Sequence, residues 1–225
     1  GVETGNTTPI VVIGDLIDFP YEPRLSEKLK HQISYFQFKA LEFSLNRLNT
    51  PKSSRLVWFG NHGVGYADCG MNDLESIRPY LEEINITTPI SLTIISNSWR
   101  KYWALKRKWR FPTFYLPWNK TFFSSALSLH GVSVIPIQEN PFTMAKTSNR
   151  VETSLIHGLG VIADQIPSYT EYKSNIYLGG WMKGLLELIA NKPPIAHEHI
   201  QADLRKKHST ILQAWQSLLG DRALS

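Results

Sequence analysis

Residues 131–164 read GVSVIPIQENPFTMAKTSNRVETSLIHGLGVIAD. A β-branched run, VSVIPI over 132–137, gives way at Gln138 to a polar loop. The spacing then predicts a helix over about 147–157, a stop at Gly158 and a second strand, GVIA, over 160–163. Strand, helix and strand in succession form the repeating unit of an open, mostly parallel α/β sheet. Working outward, the alternation continues. PIVVI at 9–13 reads as a strand. A helix over 26–48 follows, with Leu29, Ile33, Phe36, Leu41, Leu45 and Leu48 on its apolar face and Ser26 as N-cap. Further strands are expected from Arg55, over 91–96 and over 113–116. Further helices are expected over 71–83, after PWNK up to a stop at Gly131, over 181–190 and over 197–219, with a break at NKPP. Counting gives five or six strands, each followed by a helix. The expected organisation is a strand, long helix and linker over 1–54 packing on an α/β domain over 55–225.

Bulk properties bound what such a fold can do. A chain of 225 residues suits one large domain. The fractions of 42% hydrophobic and 19% charged residues, with no apolar run near the roughly 18 residues that a span requires, argue against a transmembrane segment. GVETGNTTP has no basic region leading into an apolar one, so no signal peptide is expected. The single cysteine, Cys69, excludes an internal disulfide framework and fits a reducing compartment. The expected location is cytoplasmic, with peripheral attachment at the inner face of a membrane as its variant. No HExxH, DxD or clustered His/Asp set occurs, so no tightly bound metal or cofactor is expected.

In an open parallel sheet, ligands collect beyond the carboxyl ends of the strands, where strand order reverses. The loops after Phe59, Ser96, Ile137 and Ala163 are therefore the places to search. GNHGVG over 60–65 can bring backbone N–H groups close to an anion, although it meets neither the dinucleotide nor the Walker fingerprint and also reads as a plain turn. The 145–164 segment carries more. Thr147, Ser148 and Asn149 are capping types, Lys146 precedes the cap and Arg150 lies in the first turn. Cations at a helix N-terminus oppose the dipole by roughly 0.3–1 kcal/mol, a cost that a bound phosphate reverses. Glu152, one turn in, can accept hydroxyl protons from a ribose in the same crevice. The competing reading makes Arg150 and Glu152 solvated surface charges.

The order LVWFGNHG, LTIISNS, FYLPWN, the 131–164 stretch and PSYTEY resembles the C-terminal, nucleotide-sugar-binding half of GT-B glycosyltransferases with a family-4-like C-terminal domain, over residues 55–172. The resemblance implies that Glu152 holds the donor ribose. It implies that Lys146, Ser148, Asn149 and Arg150 meet the diphosphate, with Gly60 and Asn61, and His62 beside them, lining the loop close to it. Glu139 and Asn140 would contact the sugar. Two departures stand out: Met144 lies eight residues before Glu152, near where relatives place a second glutamate, and Gly160 replaces the usual proline. The resemblance further implies a nucleotide-diphosphate sugar as substrate, a glycan or lipid-linked sugar acceptor, a role in polysaccharide biosynthesis, and an N-terminal Rossmann-like half or partner chain. No catalytic residue is assigned, because in inverting members the base generally belongs to the other half. The alternative is a non-catalytic nucleotide- or partner-binding module of the same fold.

Six of the 24 basic residues, Arg100, Lys101, Lys106, Arg107, Lys108 and Arg110, fall in RKYWALKRKWR, interleaved with Tyr102, Trp103 and Trp109. This segment suits an anionic membrane surface, single-stranded nucleic acid, or a solvated helix with its tryptophans packed inward. The net charge of +5 is low for a dedicated nucleic-acid binder and disfavours the second. His157 reads as structural, and Asp15 and Asp18 as capping or bending residues.

Overall fold

The computed structural model describes residues 27–63, 69–191 and 197–219. The expected strand at 9–13, Asp15, Asp18, Gly65 and the break after Asn191 lie outside them.

Continuous apolar runs are what strands covered on both faces require, and among the described residues six parallel strands are found: β1 (Arg55–Phe59), β2 (Ser91–Ser96), β3 (Thr113–Pro117), β4 (Val132–Ile135), β5 (Gly160–Ala163) and β6 (Tyr177–Leu178). Their order is β3-β2-β1-β4-β5-β6. The register aligns Leu56 with Leu92 on one side and with Val132 on the other. The chain builds outward from β1 to β3, crosses back to lay β4 beside β1, and builds outward the other way. The reversal point is therefore the β1–β4 junction.

The period of two divides the core. Leu56, Trp58, Ile94, Val134 and Ile162 face α2 (Leu74–Thr87), α3 (Trp99–Lys106) and α7 (Trp181–Ile189). Val57, Phe59 and Ile95 face α1 (Glu27–Arg47) and α4 (Lys120–Ser128), while Ile135, Val161 and Ala163 face α6 (Asn149–Ile156) and α8 (His197–Leu219). The result is an α/β, Rossmann-like open parallel sheet flanked by helices.

The helix expected over 26–48 is present, but its inward face differs. Phe38, Leu41 and Leu45 are buried, whereas Leu29, Ile33 and Phe36 are exposed. Strand 132–137 ends early, at Ile135, because Pro136 has no N–H to give the ladder and the Ile137 N–H is taken by Asp164 Oδ2 at 2.8 Å. The loop before α6 contains a one-turn helix, α5 (Pro141–Met144), too short to leave a period in the sequence. β6, two residues long, is missed for the same reason.

Gly131 does more than stop a helix. A Cβ there would lie 2.6 Å from Lys52 O and 2.7 Å from Ser53 Cα, both backbone, whereas a Cβ on Gly160 would meet only the Leu188 Cδ2 methyl at 2.6 Å. Gly131→Ala is therefore expected to lose about 1–3 kcal/mol, and Gly160→Ala less, because a side-chain end can rotate away. Urea denaturation of the two variants checks the order, and equal losses would show that the backbone at 52–53 yields freely.

His130 is fully buried between the end of α4 and β2. Nδ1–H donates to Ala126 O (2.8 Å), and Nε2 accepts from Thr93 Oγ1 (2.7 Å). Burial pushes its pKa down to about 4. His157 ties α6 to α4, with Nδ1 on Thr153 O and Nε2 on Ser124 Oγ.

Candidate functional site

Leaving β1, the chain turns at Gly60. Its N–H reaches Ile95 O at 3.2 Å, and its carbonyl accepts from Ser96 Oγ at 2.9 Å. Asn61 Oδ1 accepts the Gly63 N–H (3.1 Å). His62 Nδ1 donates to Asn97 Oδ1 (2.6 Å), and its carbonyl accepts from Lys101 Nζ (3.0 Å). The turns after β1 and β2 are thus fastened together. Gly70, at φ +87°, fits directly beneath: a Cβ would stand 2.6 Å from Gly63 N and 2.7 Å from Asn61 O. The absence of a side chain there lets the entry to α2 press against the turn.

Across the reversal point, Arg150 reaches this turn, its Nη1 3.6 Å from where a Gly60 Cβ would be. Arg150 Nη2 is buried and makes no hydrogen bond among the described residues, and the same holds for Asp73 Oδ1. The other Asp73 oxygen accepts the Gly70 N–H at 2.9 Å. Burial pushes the Asp73 carboxyl up; the Gly70 N–H, the Lys146 and Arg150 charges and the Gln138 N–H only partly pull it back. Both cations therefore lie within electrostatic reach of one buried carboxyl. Leaving a buried polar group unmade costs about 1–3 kcal/mol, so both orphaned atoms favour an added partner. Lys146 Nζ stands 5.4 Å from the Phe142 ring centroid, and Asn149 is exposed at the start of α6.

Ser148 occupies the N-cap of α6 but makes no capping bond. Its hydroxyl donates instead to Glu152 Oε1 at 2.9 Å, which leaves the first turn of α6 without a side-chain cap. Glu152 is not the solvated charge of the competing reading: it is 7% exposed. Oε1 also accepts from Tyr172 OH (2.5 Å) and Lys207 Nζ (3.0 Å), and Oε2 accepts from His208 Nε2 (2.7 Å). Burial alone would raise its pKa, but His208, Tyr172, Lys207 and Ser148 outweigh it and hold the carboxyl at about 2. The last helix thus closes over the carboxylate.

On the α2 side of the same loops lies a cavity of about 550 Å³, lined by Asp73, Glu75, Tyr80, Glu139, Asp164 and Trp181 among others. Glu139 belongs to this cavity. Asn140 is used differently, since its side chain accepts the Thr143 N–H (3.0 Å) while Thr143 Oγ1 accepts the Asn140 N–H (2.9 Å), a reciprocal cap on α5. Asp164 accepts from Ile137 N–H and Trp181 Nε1 (2.7 Å), locking the loop after β4 to α7.

The structure thus brings Gly60 and Arg150 together, with Asn61 and His62 on the same turn, and places Glu152 two residues on, about 200° round α6, under α8. Sequence reasoning missed Asp73, Asp164, Trp181, Tyr172, Lys207 and His208. The only signal for the last two was the basic run RKKH in a helix otherwise read as closing the domain.

No protein-family model and no curated protein matches the chain. Solved structures do. It is similar to a TarM mutant from S. aureus in complex with Fondaparinux, alpha-GlcNAc-glycerol and UDP (11% identity, TM-score 0.51, 76% of this chain and 36% of that one). It is similar to the E. coli trehalose-6-phosphate structure bound with UDP-2-fluoro glucose (11%, TM-score 0.51, 76% and 43%). It is also similar to WaaG, a glycosyltransferase involved in lipopolysaccharide biosynthesis (13%, TM-score 0.50, 73% and 46%). The chain spans less than half the length of each. At these identities the likeness is one of fold: the Rossmann-like sheet is that of one half of a GT-B architecture.

Proposed function

We propose that this chain is the donor-binding half of a nucleotide-sugar glycosyltransferase, completed by a second Rossmann-like half. The observation that carries the reading is the Arg150 guanidinium, set against Gly60 at the strand-order reversal with one nitrogen buried and unbonded among the described residues. A diphosphate supplies the acceptor that this nitrogen lacks. Lys146 and the uncapped N-terminus of α6 add positive potential. Gly60, Asn61 and His62 form the opposing wall, with Asn149 and Ser148 at the helix start. The proteins of like fold that were solved with UDP or UDP-2-fluoro glucose support this ligand class.

In transfer, the sugar's bond to the diphosphate breaks, a bond to an acceptor hydroxyl forms, and negative charge builds on the departing phosphate. Preorganised cations stabilise that charge as it develops. The acceptor proton leaves to a base that this half is not asked to supply. Glu152 takes the ribose through Oε2, which carries one donor against three on Oε1. Glu139 reaches the sugar from the cavity side, and Asn140 acts only through its cap. The acceptor is a glycan or a lipid-linked sugar. A second reading, a non-catalytic nucleotide- or partner-binding module, is favoured by the hold of Lys207 and His208 on Glu152.

Calorimetric titration with UDP, GDP and ADP tests the proposal. Saturable heat with at least one, retained in the control Lys120→Ala, is expected. Heat that is absent for all three, or unchanged when Arg150 is removed, overturns it. Binding without turnover when an N-terminal half is supplied favours the module.

A further inference from the structure

At about 100° per residue, Trp99, Arg100, Trp103 and Lys106 of α3, with Arg107 at its C-cap, fall within one arc of about 120°; the inward Leu105 lies opposite, and the inward Tyr102 flanks the arc beside Lys106. This arc is the outer face of the helix. Trp99 is 57% exposed and Trp103 38%, so the expectation of tryptophans packed inward holds for Trp109 alone. The two exposed indoles meet edge to face at 5.4 Å, and Lys106 Nζ stands 5.1 Å over the Trp103 ring. Two of the basic residues are already engaged: Lys101 is tied to the His62 carbonyl, and the exposed Lys108 lies 3.5 Å from Glu75. Between Glu83 and Glu139 the sequence has no Asp or Glu, so the segment brings no acid to neutralise Arg100, Lys106, Arg107 and Arg110.

We infer that this face of α3 is a docking surface for an anionic lipid bilayer. Indoles settle at the polar–apolar boundary, where ring and N–H are both satisfied. Long basic side chains beside them reach lipid phosphates while their stems follow the ring into the boundary. Nucleic acid would use the same cations but would not draw the indoles into an apolar layer, and a neutral glycan would not call for the cations. Because Lys101 joins α3 to the turn after β1, the surface borders that turn. The inference does not depend on the ligand proposed there.

The test uses the full chain with vesicles of phosphatidylcholine alone and of phosphatidylcholine mixed equally with phosphatidylglycerol. Cosedimentation only with the mixed vesicles is expected, with a blue shift of tryptophan emission that Trp99→Phe/Trp103→Phe removes. Arg100→Gln/Lys106→Gln/Arg107→Gln should lower the partition coefficient by on the order of a hundredfold, about fivefold per cation. All five side chains are on the outer face, so circular dichroism should not change. Absence of binding to the mixed vesicles overturns the inference. So does binding indifferent to the triple substitution, equally tight binding to single-stranded RNA without the emission shift, or self-association in the absence of lipid that Trp99→Phe/Trp103→Phe abolishes.

Discussion

Arg150→Ala should weaken nucleoside-diphosphate binding by roughly tenfold to a hundredfold, the range set by one or two charge-assisted hydrogen bonds. The same substitution should leave the stability of the free chain nearly unchanged. Arg150 Nη2 is buried without a partner among the described residues, and the desolvation cost relieved by removing it offsets the lost attraction to the buried Asp73 carboxyl. That contrast separates a ligand-facing arginine from a structural one. Arg150→Lys should recover only part of the affinity, because an ammonium is a point charge without the planar fork that grips two phosphate oxygens. Titration calorimetry and thermal denaturation on the same samples decide it. A large fall in melting temperature with unchanged affinity would make Arg150 a strut of the turn after β1.

Acid should lower the protein's stability in two stages, one led by His130 and one by Glu152. His130 has a pKa of about 4 in the folded chain against an ordinary 6.5. The unfolded chain therefore takes up the extra proton first, and stability falls as pH drops from about 6.5 to 4. At about 1.4 kcal/mol per pKa unit, the loss is on the order of 3 kcal/mol. Glu152 sits at about 2 against an ordinary 4.5. Its contribution is complete above 4.5 and is lost as pH falls towards 2. Because Lys207 and His208 are nearly half exposed, solvent screening reduces it to roughly 1–2 kcal/mol. Glu152→Gln should be destabilised at neutral pH by about that amount and should lack the lower stage. His130→Gln should lack the upper one. Denaturant midpoints measured at stepped pH values read both, and a Glu152→Gln curve parallel to wild type below pH 4.5 would reassign the second stage.

Strand positions were legible wherever a run was both apolar and long enough to show its period. SLTIIS and GVIA emerge with the expected ends, and the alternation with helices gave the parallel sheet. The ends that moved did so through chemistry that a single residue conceals: Pro136 cuts β4 short, and Asp164 takes the N–H after it. On α1, three apolar residues at helical spacing turn outward, because spacing names a face without saying what covers it. At the site, the glycine turn and the basic helix start were readable as local patterns. That Arg150 meets Gly60 follows from β4 lying beside β1, a non-local fact. Lys207 and His208 were beyond reach, since their bonds to Glu152 join residues 55 and 56 positions apart in helices that no local pattern pairs.

That long-range hold has a consequence for how the chain matures. During synthesis, a ribosome would present α6 with its acid unneutralised until the final helix emerged, and any shortened product ending before Lys207 would keep it so. Such a piece would keep the Ser148 and Tyr172 bonds to the carboxylate but leave it open to water, beside the apolar surface that Ile200 and Leu204 otherwise cover.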